Sequence, residues 1–286
     1  MNTSEPIAVV GATGHQGAAT VDALLERGFP VRALTRRVDS DAAVALAARG
    51  VEVVHGDLAD PASVQRAFEG AAAAFGVTNF MGYGIEGEVA QGKVIGDAAK
   101  ASGLPLLVFS SVGGADRNTG VPHFESKWRI EEYLRGLELP LNVVRPVFFM
   151  DNLIELHMLG RDEHGPAVRL PLPDDVPLQA IASRDIGKVA AALIADHDPA
   201  AAPIEIAGDQ TTGKQLTELV GQILGEPAHF IQLPLQAMGD DEDIIKMFTW
   251  FVEKAPAFEA DFDRTRALVP DLENLPRFLS RQPEIA

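Results

Sequence analysis

Ile7-Ala8-Val9-Val10-Gly11-Ala12-Thr13-Gly14-His15-Gln16-Gly17 places a short apolar run, a turn holding three glycines and the mouth of an Ala-rich helical stretch in direct succession. Each glycine has its own task there. Gly11 permits a tight turn, Gly14 lets backbone approach a pyrophosphate, and Gly17 allows the helix to pack closely on the strand. The first N–H groups of such a helix have no intrahelical acceptor, and with the positive end of the helix dipole they form an anion site. Glycines alone are weak evidence; the strand before them and the helix after them give the pattern its weight.

Working outward, short runs rich in Val, Ile and Leu alternate with longer segments of helical period. That is the pattern of βαβ units and of a parallel sheet buried on both faces. Strands are expected at 7–10, 31–34, 52–54, 72–77, 106–110 and 141–145, with helices over 17–27, 41–49, 61–69, 86–102 and 125–136. The order predicts an α/β chain built on a doubly wound parallel (Rossmann) sheet. Past Met150 the rhythm loosens, and Pro166, Pro171, Pro173 and Pro177 forbid a continuous helix. A nucleotide-binding domain over 1–150 and a second, smaller C-terminal α/β lobe over 151–286 are therefore expected. Within the lobe, 183–195 and 212–224 read as helices and 204–207 as a strand, so the chain is expected to return to the main sheet. The aromatic residues Phe248, Trp250 and Phe251 fit either a core stripe or a pocket wall.

Composition narrows the functional classes. With 286 residues, 47% of them apolar and 23% charged, the chain has the makings of an ordinary globular protein with a sizeable core. A net charge of −17 sets its field against phosphate backbones and anionic membrane surfaces, so neither direct nucleic-acid binding nor membrane association is expected. The absence of cysteine excludes disulfides, thiolate catalysis and thiolate metal sites, so redox chemistry would have to come from a bound cofactor. His157 and His164 lack further ligands at metal spacing, and no metal is expected. No apolar stretch is long enough to span a bilayer core of about 30 Å. Residues 1–6 are polar and lack the basic and apolar regions of a signal peptide, so a cytoplasmic location is expected.

At the end of the second strand the chain reads Ala33-Leu34-Thr35-Arg36-Arg37. An NAD-binding protein would carry a carboxylate there for the ribose hydroxyls; two guanidiniums suit a 2′-phosphate, which arginine holds with planar, charge-assisted bonds. NADP(H) is the cofactor this predicts, with Arg36 as first contact and Arg37 as second, unless the pair is merely a solvated surface. After the third strand, Asp57 of His55-Gly56-Asp57-Leu58 can accept from an adenine amine or cap the following helix.

With these residues in view, the chain resembles the NmrA-like family of atypical short-chain dehydrogenases over nearly its whole length. The segments that carry the resemblance are Gly-Ala-Thr-Gly-His-Gln-Gly at 11–17, Leu-Thr-Arg at 34–36, Gly-Asp-Leu at 56–58, Val-Thr-Asn-Phe at 77–80, Gln-Gly-Lys at 91–93, His-Phe-Glu-Ser-Lys at 123–127 and Phe-Met-Asp-Asn-Leu at 149–153. Glu-Ile-Ala-Gly-Asp at 205–209 followed by Thr212-Gly213 matches the family's closing strand and helix. The resemblance implies that Gly11, Thr13, Gly14, His15, Gln16, Gly17, Arg36, Arg37, Asp57 and Leu58 seat the cofactor. It also implies that Thr78, Asn79 and Phe80 border the nicotinamide ribose and that Lys127 holds ribose hydroxyls. Lys93, Phe149 and Asn152 are implied at the substrate pocket.

One departure stands out. Ordinary short-chain dehydrogenases use Tyr-x-x-x-Lys, in which the lysine lowers the tyrosine pKa so that the phenol can exchange a proton with substrate. Here the spacing gives His123-x-x-x-Lys127, and neither Tyr83 nor Tyr133 falls at that position. His123 can serve as an acid, since imidazole titrates near neutral pH, or can simply shape the pocket. Ser110 and Ser111 stand where the ordinary enzymes have a substrate-orienting serine, a position that also suits a cap. The resemblance implies either an NADPH-dependent reductase of a quinone-like or conjugated small molecule or a non-catalytic NADP(H) redox sensor. The sensor would act through a protein partner; a homodimer is compatible with both.

Overall fold

β1 (Ile7–Val9) is buried at every residue and has a parallel neighbour on each side. In the computed structural model, which describes residues 4–198 and 202–282, the chain continues through α1 (His15–Glu26), β2 (Val31–Thr35), α2 (Asp41–Ala48), β3 (Glu52–His55), α3 (Pro61–Phe68), β4 (Ala73–Val77), α4 (Gly84–Ala101), β5 (Leu107–Ser110), α5 (Pro122–Gly136) and β6 (Leu141–Pro146). There follow β7 (Phe148–Phe149), α6 (Asn152–Glu155), β8 (Leu159–Asp162), β9 (Gly165–Leu170), β10 (Leu178–Ile181), α7 (Ser183–Asp196) and β11 (Ile204–Ile206). The chain closes with β12 (Asp209–Thr211), α8 (Gly213–Leu224), β13 (His229–Gln232), α9 (Glu242–Glu253), α10 (Phe262–Leu268) and α11 (Leu275–Leu279).

The expected doubly wound sheet is present. Among the described residues it has seven strands, all parallel, in the order β11-β6-β5-β4-β1-β2-β3. Alternation along β1 sends Ile7 and Val9 into the core beneath α1 and α7, while Ala8 and the following Val10 enter the core beneath α3, α4 and α5. The order reverses between β1 and β4, and in open sheets of this kind ligands bind at the carboxyl ends of the strands at such a switch point. Two small sheets accompany the large one, β12-β10-β7 and β13-β9-β8.

The six expected strands of the first half end within one residue of the observed ones. α2 and α3 start where expected, whereas α1, α4 and α5 start two or three residues earlier. The most consequential is α5, which begins at Pro122 and not at 125, because a proline in the first helical turn has φ already set and no N–H to lose. His123 and Lys127 thus share one helix, one turn apart. In the second half, β8, β9 and β13 lie where only proline-broken chain or no element was expected. Pro166 is tolerated in β9 because only β8 lies alongside it; β13 pairs from Ala167 onward. Phe248 and Phe251 of α9 are fully buried and pack against Phe148, so that stripe is core. No helix among the described residues is long and apolar enough to cross a membrane.

The second half is fastened to the first at α1. Gly187 of α7 lies so close to α1 that a Cβ there would stand 2.3 Å from the carbonyl carbon and oxygen of Ala19. Backbone cannot yield as a flexible side-chain end can. Gly187→Ala is expected to lower the free energy of unfolding by about 1–3 kcal/mol, the range for overpacking a well-filled site. Urea denaturation checks this, and a loss under about 0.5 kcal/mol, as at an ordinary surface position, would show that the helices are not held so closely.

Candidate functional site

A cleft of about 1140 Å³ opens at the carboxyl ends of β1, β2 and β4, at the switch point. Its first wall is the glycine turn, with Gly11, Thr13, Gly14, His15, Gln16 and Gly17 all lining it. Gly11 has φ +68°, in the left-handed region that favours glycine. Gly14 is the N-cap of α1 and no side chain caps the helix there. The backbone donors of the first turn are thus left for a ligand, which is what an anion needs. Above the turn, His15 Nδ1 lies 3.5 Å from Glu155 Oε1 of α6.

The second wall follows β2 and β3. Arg36 and Arg37 line it, together with Asp57 and Leu58. Arg36 is exposed, and its Nη1 donates to Tyr83 Oη at 3.4 Å, so guanidinium and phenol meet across the mouth. Asp39 and Asp41 also line this end, the latter in the first turn of α2. Asp57 Oδ1 accepts from the backbone of Ala59 at 2.9 Å, while the N-cap of α3 is Asp60. Asp57 therefore shapes the turn ahead of that helix and does not cap it.

The third wall carries Thr78, Asn79, Tyr83, Gln91 and, from β7, Phe149. Asn79 N–H donates to Gln91 Oε1 at 2.9 Å, pinning the segment after β4 to α4. Beneath Thr78 lies a buried polar floor. Lys127 Nζ donates to Thr78 Oγ1 at 2.8 Å and to the Ser110 carbonyl at 3.3 Å, and stands 3.1 Å from Glu88 Oε1. Thr78 in turn donates to Glu88 Oε1 at 2.9 Å, and Ser126 donates to the other oxygen of Glu88. Lys127 and Glu88 are both buried. Two of the Lys127 ammonium protons thus have protein acceptors, and its charge is paired with Glu88.

Several expected site residues do not line the cleft. Ser110 is fully buried and donates its hydroxyl to Gln16 Oε1 at 2.6 Å. His123 is bonded through Nδ1 to the carboxylate of Asp243, and its ring centroid lies 5.8 Å from that of Phe80. Neither His123 nor Phe80 lines the cleft, and the same holds for Asn152, which begins α6. The structure does not bring Lys93 to the cleft at all. Gly87, Ala90 and Gln91 are the cleft face of α4, and two residues beyond Gln91 a side chain has turned about 200° away. Lys93 stacks instead over Tyr133, its Nζ 5.3 Å from the ring centroid.

Sequence reasoning missed Glu88, Gln91, Tyr83 and Asp243. A signal existed for Glu88, since it falls on the stripe Glu88, Gly92, Ile95, Ala99 that faces the core, and a charge in such a stripe asks for a buried partner. Nothing local marked Asp243. No group of three or more His, Cys, Asp or Glu side chains among the described residues could hold a metal ion.

The NmrA-like family profile matches residues 3–273. An NmrA-like family domain-containing oxidoreductase, FrzB, of Cladobotryum sp is 37% identical over 160 residues; the match takes in 52% of this chain and 48% of that protein, so the chain spans about half the length of that relative. A (4-alkanoyl-5-oxo-2,5-dihydrofuran-3-yl)methyl phosphate reductase of Streptomyces griseus subsp. griseus is 29% identical over 81% of this chain and 78% of its own. The crystal structure of NmrA, a negative transcriptional regulator, in complex with NADP has the same fold, with a TM-score of 0.83 at 24% identity over 97% of this chain and 94% of that one. By the match that runs from residue 3 to residue 273, this chain belongs to the NmrA-like family.

Proposed function

We propose that this protein binds NADP(H) in the cleft and acts in the cytoplasm as a reductase of a quinone-like or otherwise conjugated small molecule. The observation that carries the proposal is that the glycine turn and the Arg36-Arg37 pair line one and the same cleft, with a guanidinium directly after β2. The chemistry of the donors fits the dinucleotide. Backbone N–H groups at the start of α1 suit its diphosphate, with Thr13, His15 and Gln16 around them. Arg36, seconded by Arg37, suits a 2′-phosphate, and Asp57 with Leu58 would border the adenine.

At the other end Thr78, Asn79 and Phe80 would border the nicotinamide ribose, and Phe149 with Asn152 the substrate. Residues 1–150 would hold the cofactor and 151–286 the substrate side. Lys127 already donates to Thr78 and the Ser110 carbonyl and pairs with Glu88, so beside a ribose hydroxyl it would act as a cation under the wall. When bound, the reduced nicotinamide supplies a hydride. A conjugated acceptor spreads the resulting negative charge itself, and His123 or water provides the proton. The two oxidoreductase relatives support this chemistry.

A second reading, a redox sensor that answers to NADP(H) through a protein partner, is favoured by one feature of the site. Lys127 and Ser110 have their donors committed to protein acceptors.

Arg36→Ala is expected to weaken NADPH by roughly 10–100-fold, the worth of one or two charge-assisted bonds, with little effect on NADH. Isothermal calorimetry with both dinucleotides reads this, and equal losses for the two would refute the 2′-phosphate assignment. NADPH oxidation in the presence of quinones and enones is expected to exceed the rate without protein. Tight NADPH binding without turnover of any acceptor would transfer the protein to the sensor reading.

A further inference from the structure

We infer that Asp243 is the positioning residue for His123, fixing the imidazole with a proton on Nδ1 so that Nε2 is the atom that exchanges a proton with substrate; this rests on the reductase reading above. Three contacts from one carboxylate converge on this histidine. Asp243 Oδ1 and Oδ2 lie 2.8 and 2.7 Å from Nδ1, and Oδ1 also accepts the backbone N–H of His123 at 2.8 Å. Gripping both the ring and its backbone leaves the ring one orientation. Only a protonated Nδ1 can face a carboxylate; an unprotonated one would set lone pair against lone pair.

The assignment of the other nitrogen follows. In the neutral ring Nε2 is the base, and in the imidazolium Nε2–H is the acid, since the hydrogen bond at one nitrogen decides what the other carries. No described residue is hydrogen-bonded to Nε2, and the His123 side chain keeps 23% of its surface against 11% for that of Asp243. Asp243 is itself held, for its N–H donates to the carboxylate of Asp241, the N-cap of α9. The ring is walled by Phe124, edge-on at 4.5 Å between centroids, and by Phe80, whose neighbours Thr78 and Asn79 line the cleft. Lys127 stands one turn further along the same face of α5 and reaches Thr78.

The proton step balances as follows. The Nε2–H bond breaks toward the acceptor oxygen, which carries the electron pair displaced when hydride reaches the conjugated carbon. The neutral ring keeps Nδ1–H on Asp243 and regains its Nε2 proton from water.

The test pairs nitrogen NMR of the ligand-free protein with kinetics. The ring signals are assigned by their loss in His123→Gln. At a pH where the ring is neutral, wild type is expected to show a protonated Nδ1 and a bare Nε2. Asp243→Ala should shift the proton toward Nε2, the form an unrestrained imidazole favours. Asp243→Asn, which keeps an acceptor for the backbone N–H, serves where the Ala variant fails to fold. With NADPH and a reducible quinone, either variant is expected to lose about tenfold or more in kcat, within what a general acid contributes, while KM for NADPH stays within about twofold. In a His123→Gln background the same change should cost nothing more, because Asp243 acts through the ring.

A neutral wild-type ring protonated on Nε2, or an Asp243 variant that slows His123→Gln as much as it slows wild type, overturns the inference. The two levels separate cleanly. A slow His123→Gln beside fast Asp243 variants leaves the acid in place and removes its positioner, whereas a fast His123→Gln removes the acid role and Asp243 with it.

Discussion

Gly17 can carry no side chain, because a Cβ there would stand 2.1 Å from the carbonyl oxygen of Gly11. That contact presses the first turn of α1 onto the loop leaving β1, and the cleft takes its shape from it. It aims the uncapped N–H groups of the helix across the switch point. It also fixes where the rest of the chain can dock, for α7 lies beside α1 on the same face of the sheet, held close at a second forbidden side chain, Gly187. A helix pressed onto the loop from β1 along one side and onto another helix along the next has no freedom to drift, and close-packed interiors transmit any displacement. The anion site and the attachment of the second half of the chain are thus two consequences of one helix position.

Around that helix the polar groups are committed in advance. Ser110 is spent on Gln16, Asn79 on Gln91, and Lys127 on Glu88, Thr78 and the Ser110 carbonyl. A buried ion pair such as Lys127 with Glu88 adds little net stability over a well-packed apolar pair, but losing one partner costs about 3–5 kcal/mol. Its effect is to set where α4, α5 and the ends of β4 and β5 sit relative to one another. The cleft walls are therefore stiff, and the donors left for a ligand are chiefly backbone N–H groups and the arginines at the open end.

The central sheet was legible because its inner strands β1, β4 and β5 are buried on both faces and read as unbroken apolar runs, while the turn was legible because all of its determinants lie within seven residues of sequence, 11–17. The second half was not. β7 has two residues, β13 is only half-buried and shows no alternation, and Pro166 reads as a break unless the neighbouring strand is already known. Within the site the same division holds. Arg36 follows β2 directly and could be placed by counting, whereas the rotation of α4 that turns Gly87, Ala90 and Gln91 to the cleft and Lys93 over Tyr133 cannot be read from a three-residue motif. Asp243 lies 120 residues from the histidine it grips, and no local pattern links the two.

The substitution of histidine for tyrosine at position 123 takes on physical sense once Glu88 is included. A phenol needs a nearby cation to ionise near neutral pH, and the usual lysine provides it as an unneutralised charge. Here Lys127 stands 3.1 Å from a buried carboxylate, which offsets part of the charge it presents to a neighbour one turn away. A tyrosine in that place would draw less help from it. An imidazole titrates near neutrality unaided, and what it requires is a partner that settles which nitrogen carries the proton. That partner comes from α9, in the second half of the chain. On the reductase reading, the acid is thereby tied to the region that would hold the substrate and no longer to the lysine beneath the cofactor cleft, so a shift of α9 would change proton transfer while leaving dinucleotide binding intact.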